Sequence, residues 1–147
     1  MSEKTFSLEE AQETLKKVKP RVEEVVEINR TIQYTSKDME TLFDIWGDSV
    51  MEKGNPDNGL YLNMIEKGDM LADEMKNRLS EIEEVGCHVK DLKLGLIDFP
   101  FDHEGRRVFL CWKLGEDKIK YWHDAHAGFT GRKHINELIN RPISQEQ

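Results

Sequence analysis

A seven-residue spacing of apolar side chains runs from Leu8 to Val50 and constrains this chain more than any other feature. One register holds Leu8, Leu15, Val22, Asn29, Ser36, Phe43 and Val50, and the other Ala11, Val18, Val25, Ile32, Met39 and Trp46. A repeat of that length is the seam of a helix packed lengthwise against another helix. The polar members Asn29 and Ser36 predict a bend or break near the middle. Pro20 lacks a backbone donor and predicts a kink. Ser7-Leu8-Glu9-Glu10 is a capping box at the start, and Phe6 is placed to staple onto Ala11.

Gly54-Asn55-Pro56-Asp57 stops the helix and turns the chain. Asp57 or Asn58 is placed to cap a second helix, whose seam is Tyr61, Met64, Leu71, Met75, Ile82 and Val85. Gly86 follows, where a left-handed cap is expected. Two long helices with a short connection run antiparallel, so residues 1–86 read as a helical hairpin arm with coiled-coil character. Leu42, Ile45, Leu62 and Leu79 are left over and need another partner. A homodimer through the helices is the expected solution.

The periodicity changes after Gly86, and residues 87–147 read as a β unit packed on the arm within one domain. Leu94 to Phe99, Val108 to Leu114 and Ile119 to His123 are three strands, separated by Asp102-His103-Glu104-Gly105 and Gly115-Glu116-Asp117-Lys118. They form an antiparallel meander of two hairpins. Pairing Leu114 with Ile119 sets Trp112 opposite Tyr121 and Leu110 opposite His123. That face is the more apolar and is expected to meet the helices, with His123 pointing inward and Cys111 on the far side. His134 to Asn140 reads as a short C-terminal helix before Pro142. The fold class is therefore α+β.

Charge excludes one broad class of partner. The net charge is −8, which repels a phosphate backbone, so general nucleic-acid binding is disfavoured. Arg106-Arg107 and Arg132-Lys133 are the local basic candidates. Cys87 and Cys111 have no metal or disulfide spacing and fit a reducing compartment. No apolar run approaches the roughly 20 residues that span a bilayer, and Met1-Ser2-Glu3-Lys4 opens no signal peptide. The expected location is cytoplasmic.

Several segments together resemble a known family. They are Phe6-Ser7-Leu8-Glu9-Glu10-Ala11, Val89-Lys90-Asp91-Leu92, Gly95-Leu96-Ile97-Asp98-Phe99-Pro100, Leu110-Cys111-Trp112-Lys113-Leu114-Gly115-Glu116, Tyr121-Trp122-His123 and Gly128-Phe129-Thr130-Gly131-Arg132. The chain resembles the uncharacterised prokaryotic family known as domain of unknown function 2203. The resemblance implies a helical region followed by a small β region, and no activity. It marks Asp98, Trp112, Glu116, His123, Gly128, Gly131 and Arg132 as characteristic residues. This chain departs from the pattern with His126, where an acidic or small residue is expected.

Three chemistries fit these residues. Asp98, His123 and His126 are candidate ligands for a divalent transition metal, since imidazole with carboxylate suits zinc, iron, manganese or nickel. The plainer reading of His123 is a buried core histidine hydrogen-bonded to Asp98 or a carbonyl. Gly128, Gly131 and Arg132 are a candidate anion loop, against which stands a simple turn with Arg132 paired to Glu116 or Asp98. Nucleophilic catalysis by Cys111 and His123 is set aside, because the register above puts them on opposite faces. The leading expectation is a small accessory or interaction protein that dimerises through its helices. The alternative is a metal- or small-anion-binding protein, an enzyme included, with its site near Asp98, His123 and Arg132.

Overall fold

The capping box forms in both directions. Ser7 Oγ accepts from the Glu10 amide at 3.0 Å, and the Glu10 carboxylate accepts from the Ser7 amide at 2.9 Å. The structure is a computed structural model that describes residues 3–139. From the cap, helix α1 runs unbroken over Leu8–Trp46, through Pro20, Asn29 and Ser36. The expected break is absent because both polar residues lie within a helix that α2 accompanies. At 1.5 Å per residue α1 is about 58 Å long.

Gly47 ends α1 with φ +61°, four residues earlier than the seam suggested, and a 3-10 helix over Gly47–Met51 carries buried Val50. Helix α2 spans Asn58–Glu84. Asp57 precedes it without a capping hydrogen bond from its side chain. Its carboxylate instead accepts from Trp46 Nε1 at 2.8 Å, while Asn58 Nδ2 donates to the Val50 carbonyl at 3.0 Å. The helices are antiparallel. Arg21 pairs with Glu81 at 2.6 Å and Arg78 with Glu24 at 2.7 Å near one end, and Phe43 packs edge-on against Tyr61 near the other.

The β unit has five strands, where three were expected. They are β1 (His88–Asp91), β2 (Leu96–His103), β3 (Arg106–Lys113), β4 (Tyr121–Asp124) and β5 (Lys133–His134), paired antiparallel in chain order. The outer two are short and mixed in character, so they carry little period-2 signal. Strand β2 continues through Pro100 rather than stopping there. The Pro100 carbonyl accepts from the Phe6 amide at 2.8 Å. The missing proline N–H falls on that same edge, beyond the reach of β1, so the ladder to β3 loses nothing. A short helix α3 covers Asn136–Ile139, and Asn140 lies outside the described residues.

The expected register of β3 and β4 is wrong by one residue. Leu110 pairs with Trp122, Cys111 with Tyr121, and Phe109 with His123. The reason lies in the turn, which occupies residues 114–120 instead of 115–118. Trp112 Nε1 donates to the Glu116 carbonyl at 3.0 Å, and the Glu116 carboxylate accepts from the Lys113 amide at 2.7 Å. Ile119 is buried as expected, yet it is not in a strand. The side-chain amide of Gln12 pairs with both its backbone groups at 3.0 Å, replacing a strand neighbour. The alternation therefore breaks between Ile119 and Tyr121, and Trp122 goes inward.

Ile97, Phe99, Val108, Leu110, Trp112 and Trp122 form the core face with Ala11, Leu15, Val18, Val22, Val25 and Ile28 of α1. The β1–β2 turn sits hard against that helix. Gly95 has φ +72°, and a Cβ there would lie 2.8 Å from Leu114 Cβ and 3.1 Å from Val26. The slip by one residue sends His123 to the opposite face of the sheet, the face turned from the helices.

Candidate functional site

The outer sheet face gathers residues from three strands. Asp98 on β2 is directly opposite Cys111 on β3. Two residues before Cys111, Phe109 faces His123 on β4. Side chains alternate along a strand, so all four point the same way. Asp98, Cys111 and His123 are buried, and one ligating atom from each lies within 4.8 Å of the others. They form part of the lining of a cleft of about 480 Å³, with Phe109, the loop over residues 125–129 and Lys90 on its walls.

His123 is held by both ring nitrogens. Nδ1 is 2.8 Å from the Asp124 carbonyl oxygen and Nε2 is 2.9 Å from Asp98 Oδ2. A carbonyl only accepts, so Nδ1 donates, and Nε2 makes its hydrogen bond with the Asp98 carboxyl group. The ring also stacks on Phe109 at 5.6 Å between centroids. Burial pulls the imidazole pKa down. The hydrogen bonds to Asp98 and to the Asp124 carbonyl outweigh it, and the net shift is upward. The two side chains thus form a hydrogen-bonded pair kept from water.

Cys111 is the residue that sequence reasoning missed, and the register slip is the cause. It shares a face with His123 after all. Its thiol is nevertheless no nucleophile, because burial and then the Asp98 charge push its pKa up to about 12. Nδ1 of His123 is donating and Nε2 is engaged by Asp98, so the ring is turned to the carboxyl group and not to the thiol. Nucleophilic catalysis fails on chemistry, where it had been rejected on geometry. The signal that would have found Cys111 lies across the hairpin: Trp122 needs burial more than Tyr121 does, and pairing Trp122 with Leu110 restores the true register.

The remaining sequence candidates separate. His126 lines the same cleft as an exposed side chain and stands outside the buried trio. Arg132 is engaged elsewhere: Nη2 donates to both Glu116 oxygens at 2.7 and 2.8 Å, and its guanidinium lies 4.1 Å from the Tyr121 ring and 4.9 Å from the Phe129 ring. The amides of Gly131 and Arg132 turn back to the carbonyls of Gly128 and Phe129. Gly128 has φ +66°, and a Cβ on Gly131 would lie 2.4 Å from Ala127 Cβ. These contacts place both glycines and the arginine in a closed turn, with Arg132 Nε buried and without a hydrogen-bond partner.

Among the described residues, Asp98, Cys111 and His123 are therefore the set with the donor types to hold a metal ion. No curated protein and no solved structure matches the chain. A family model described as an uncharacterized conserved protein matches residues 4–135, and the chain belongs to that family, DUF2203.

Proposed function

We propose that this chain is an assembly protein, in which the outer half of the helical arm joins two copies and the β unit presents a small recognition cleft. The observation that carries this reading is the uncovered apolar surface on the arm. Beyond Ile28, the buried residues of α1 are Thr35 and Leu42 alone. The last 18 residues of α1, about 27 Å of helix, have α2 and the 3-10 turn for company. Tyr34 and Ile45 are each 65% exposed and lie three turns apart on one stripe; Leu62 and Ile65 share a stripe on α2. Trp46, Met51, Leu60 and Met70 add to the exposed apolar surface. Patches of this kind mark association sites, and two such hairpins stacked as a four-helix bundle would cover both stripes.

Other features support the same reading. Each basic residue of the two candidate patches faces a carboxylate: Arg106 and Lys133 meet Asp124, Arg107 meets Glu3, and Arg132 meets Glu116. Little positive charge is left for a phosphate backbone. No described helix is long and apolar enough to cross a membrane. Both cysteines are free thiols, which accords with a cytoplasmic location.

Light scattering across a dilution series tests the proposal. The native chain should have the mass of two copies at micromolar concentration. Ile45→Glu with Leu62→Glu should reduce that to one, with the helical circular dichroism signal retained because both side chains are exposed and with a Tm that no longer rises with protein concentration. A native chain that stays monomeric at high concentration overturns it. The buried trio in the cleft favours a second reading, a ligand-binding protein whose ligand is a metal ion.

A further inference from the structure

We infer that Asp98, Cys111 and His123 form a site for a divalent transition metal of the zinc type, bound through a carboxylate oxygen, the thiolate sulfur and Nε2. This goes beyond assembly by the arm and does not depend on it. Three arguments carry it.

The donor set and spacing fit. One oxygen, one sulfur and one nitrogen lie within 4.8 Å of one another. Tetrahedral bonds of about 2.0–2.3 Å place neighbouring donors roughly 3.3–3.6 Å apart. The Asp98–His123 contact of 2.9 Å has to open by a few tenths of an ångström to admit an ion, and donors at the 4.8 Å limit have to close by about an ångström.

The support around the histidine fits. A metal-bound histidine donates its other ring N–H to a carbonyl or carboxylate, which fixes the tautomer and the ring. His123 Nδ1 donates to the Asp124 carbonyl at 2.8 Å, and Phe109 stacks on the ring. That arrangement turns Nε2 toward the ion, whose binding displaces the Cys111 thiol proton and any proton shared between Nε2 and Asp98 to solvent through the cleft.

The location fits as well. A buried charged pair contributes little net stability compared with apolar packing, and here it sits beside a buried thiol at the bottom of an open cleft. A core that needed only packing would seat an aliphatic side chain at each of these positions. Cys87, the other buried thiol, is different. It joins the apolar core, donates to the Ile82 carbonyl at 3.4 Å and belongs to no such donor set among the described residues. Three protein ligands leave a tetrahedral ion one position open to the cleft, where water or a small anion can bind.

The experiment uses the full chain, stripped with a chelator and then titrated with Co2+ and Zn2+. Co2+ should bind at one equivalent and give an intense thiolate-to-cobalt charge-transfer absorption, which one equivalent of Zn2+ abolishes. Cys111→Ser should lose that absorption and bind Zn2+ at least about a hundredfold more weakly. Cys87→Ser should keep both. His123→Gln should weaken Zn2+ binding similarly, with circular dichroism verifying that each variant is folded. Co2+ binding without the absorption, an absorption lost in Cys87→Ser instead, or no saturable binding at one equivalent overturns the inference. Each of those results leaves the trio as a buried hydrogen-bonded pair beside a thiol.

Discussion

His123 Nε2 lies 2.9 Å from Asp98 Oδ2, with both side chains at most 5% exposed, on the sheet face turned away from the helices. Removing either partner leaves the other polar group buried alone. Asp98→Ala and His123→Ala should each lower the unfolding free energy by about 3 kcal/mol. The double variant should lose well under the sum, because the second removal no longer strands a partner. Urea denaturation of the four proteins in metal-free buffer closes the cycle. Additive losses would mean that the two side chains act independently.

The same pair sets a direction for pH dependence. The folded-state pKa of His123 lies above its unfolded value of about 6.5. A raised histidine pKa contributes stability that is complete below the unfolded pKa and lost as pH climbs through the folded one. The thiols act in the same direction at higher pH. Burial holds Cys87 and Cys111 up at about 12, whereas the unfolded chain ionises them near about 8.5. Stability of the metal-free chain should therefore fall from pH 6.5 upward and fall further above pH 9. Denaturation midpoints across that range measure it, and His123→Gln should flatten the lower part of the profile while leaving the upper part.

Much of this architecture was legible along the chain. The capping box at Ser7 and Glu10, the seam from Leu8 and the cap region at Gly86 are local signals, and local backbone chemistry decides them. The register of β4 was not legible, because it depends on Gln12, more than 100 residues away in sequence, holding Ile119 outside the ladder. A slip of one residue inverts every side chain, so that single remote contact hid the meeting of Cys111 with His123. Asp98 and His123 were named as partners because they are buried polar residues in apolar strands, a signal that survives the slip. Strands β1 and β5 went unseen for another reason: a strand of two to four residues carries too few alternations to be read.

The loop beside the cleft closes on a missing atom. A Cβ on Gly131 would stand 2.4 Å from Ala127 Cβ, too close for any real contact. Gly131→Ala should therefore cost about 1–3 kcal/mol. Ala127→Gly in the same chain removes the obstacle and should restore most of that loss, since Gly131 has no positive φ to penalise a side chain. Thermal melts of the single and double variants decide this. Failure of the second change to rescue the first would place the strain in the backbone and not in the side-chain pair.

Phe6 joins the start of the chain to the centre of the sheet, and its side chain and amide do so separately. The ring is 3% exposed and meets Phe99 edge-on at 5.3 Å between centroids. Its amide donates to the Pro100 carbonyl, a backbone acceptor on that edge beyond the reach of β1. Phe6→Ala keeps the amide and removes the ring, so it should cost about 3–5 kcal/mol through the cavity left against Phe99. Phe6→Leu refills most of that volume and should cost less than about 1.5 kcal/mol. Hydrogen exchange separates the two contributions. If the ring is what holds the segment, the amide of residue 6 should lose protection in the alanine variant and retain it in the leucine variant. Protection that persists in Phe6→Ala would assign the anchoring to the hydrogen bond with Pro100 and to the ion pair of Glu3 with Arg107.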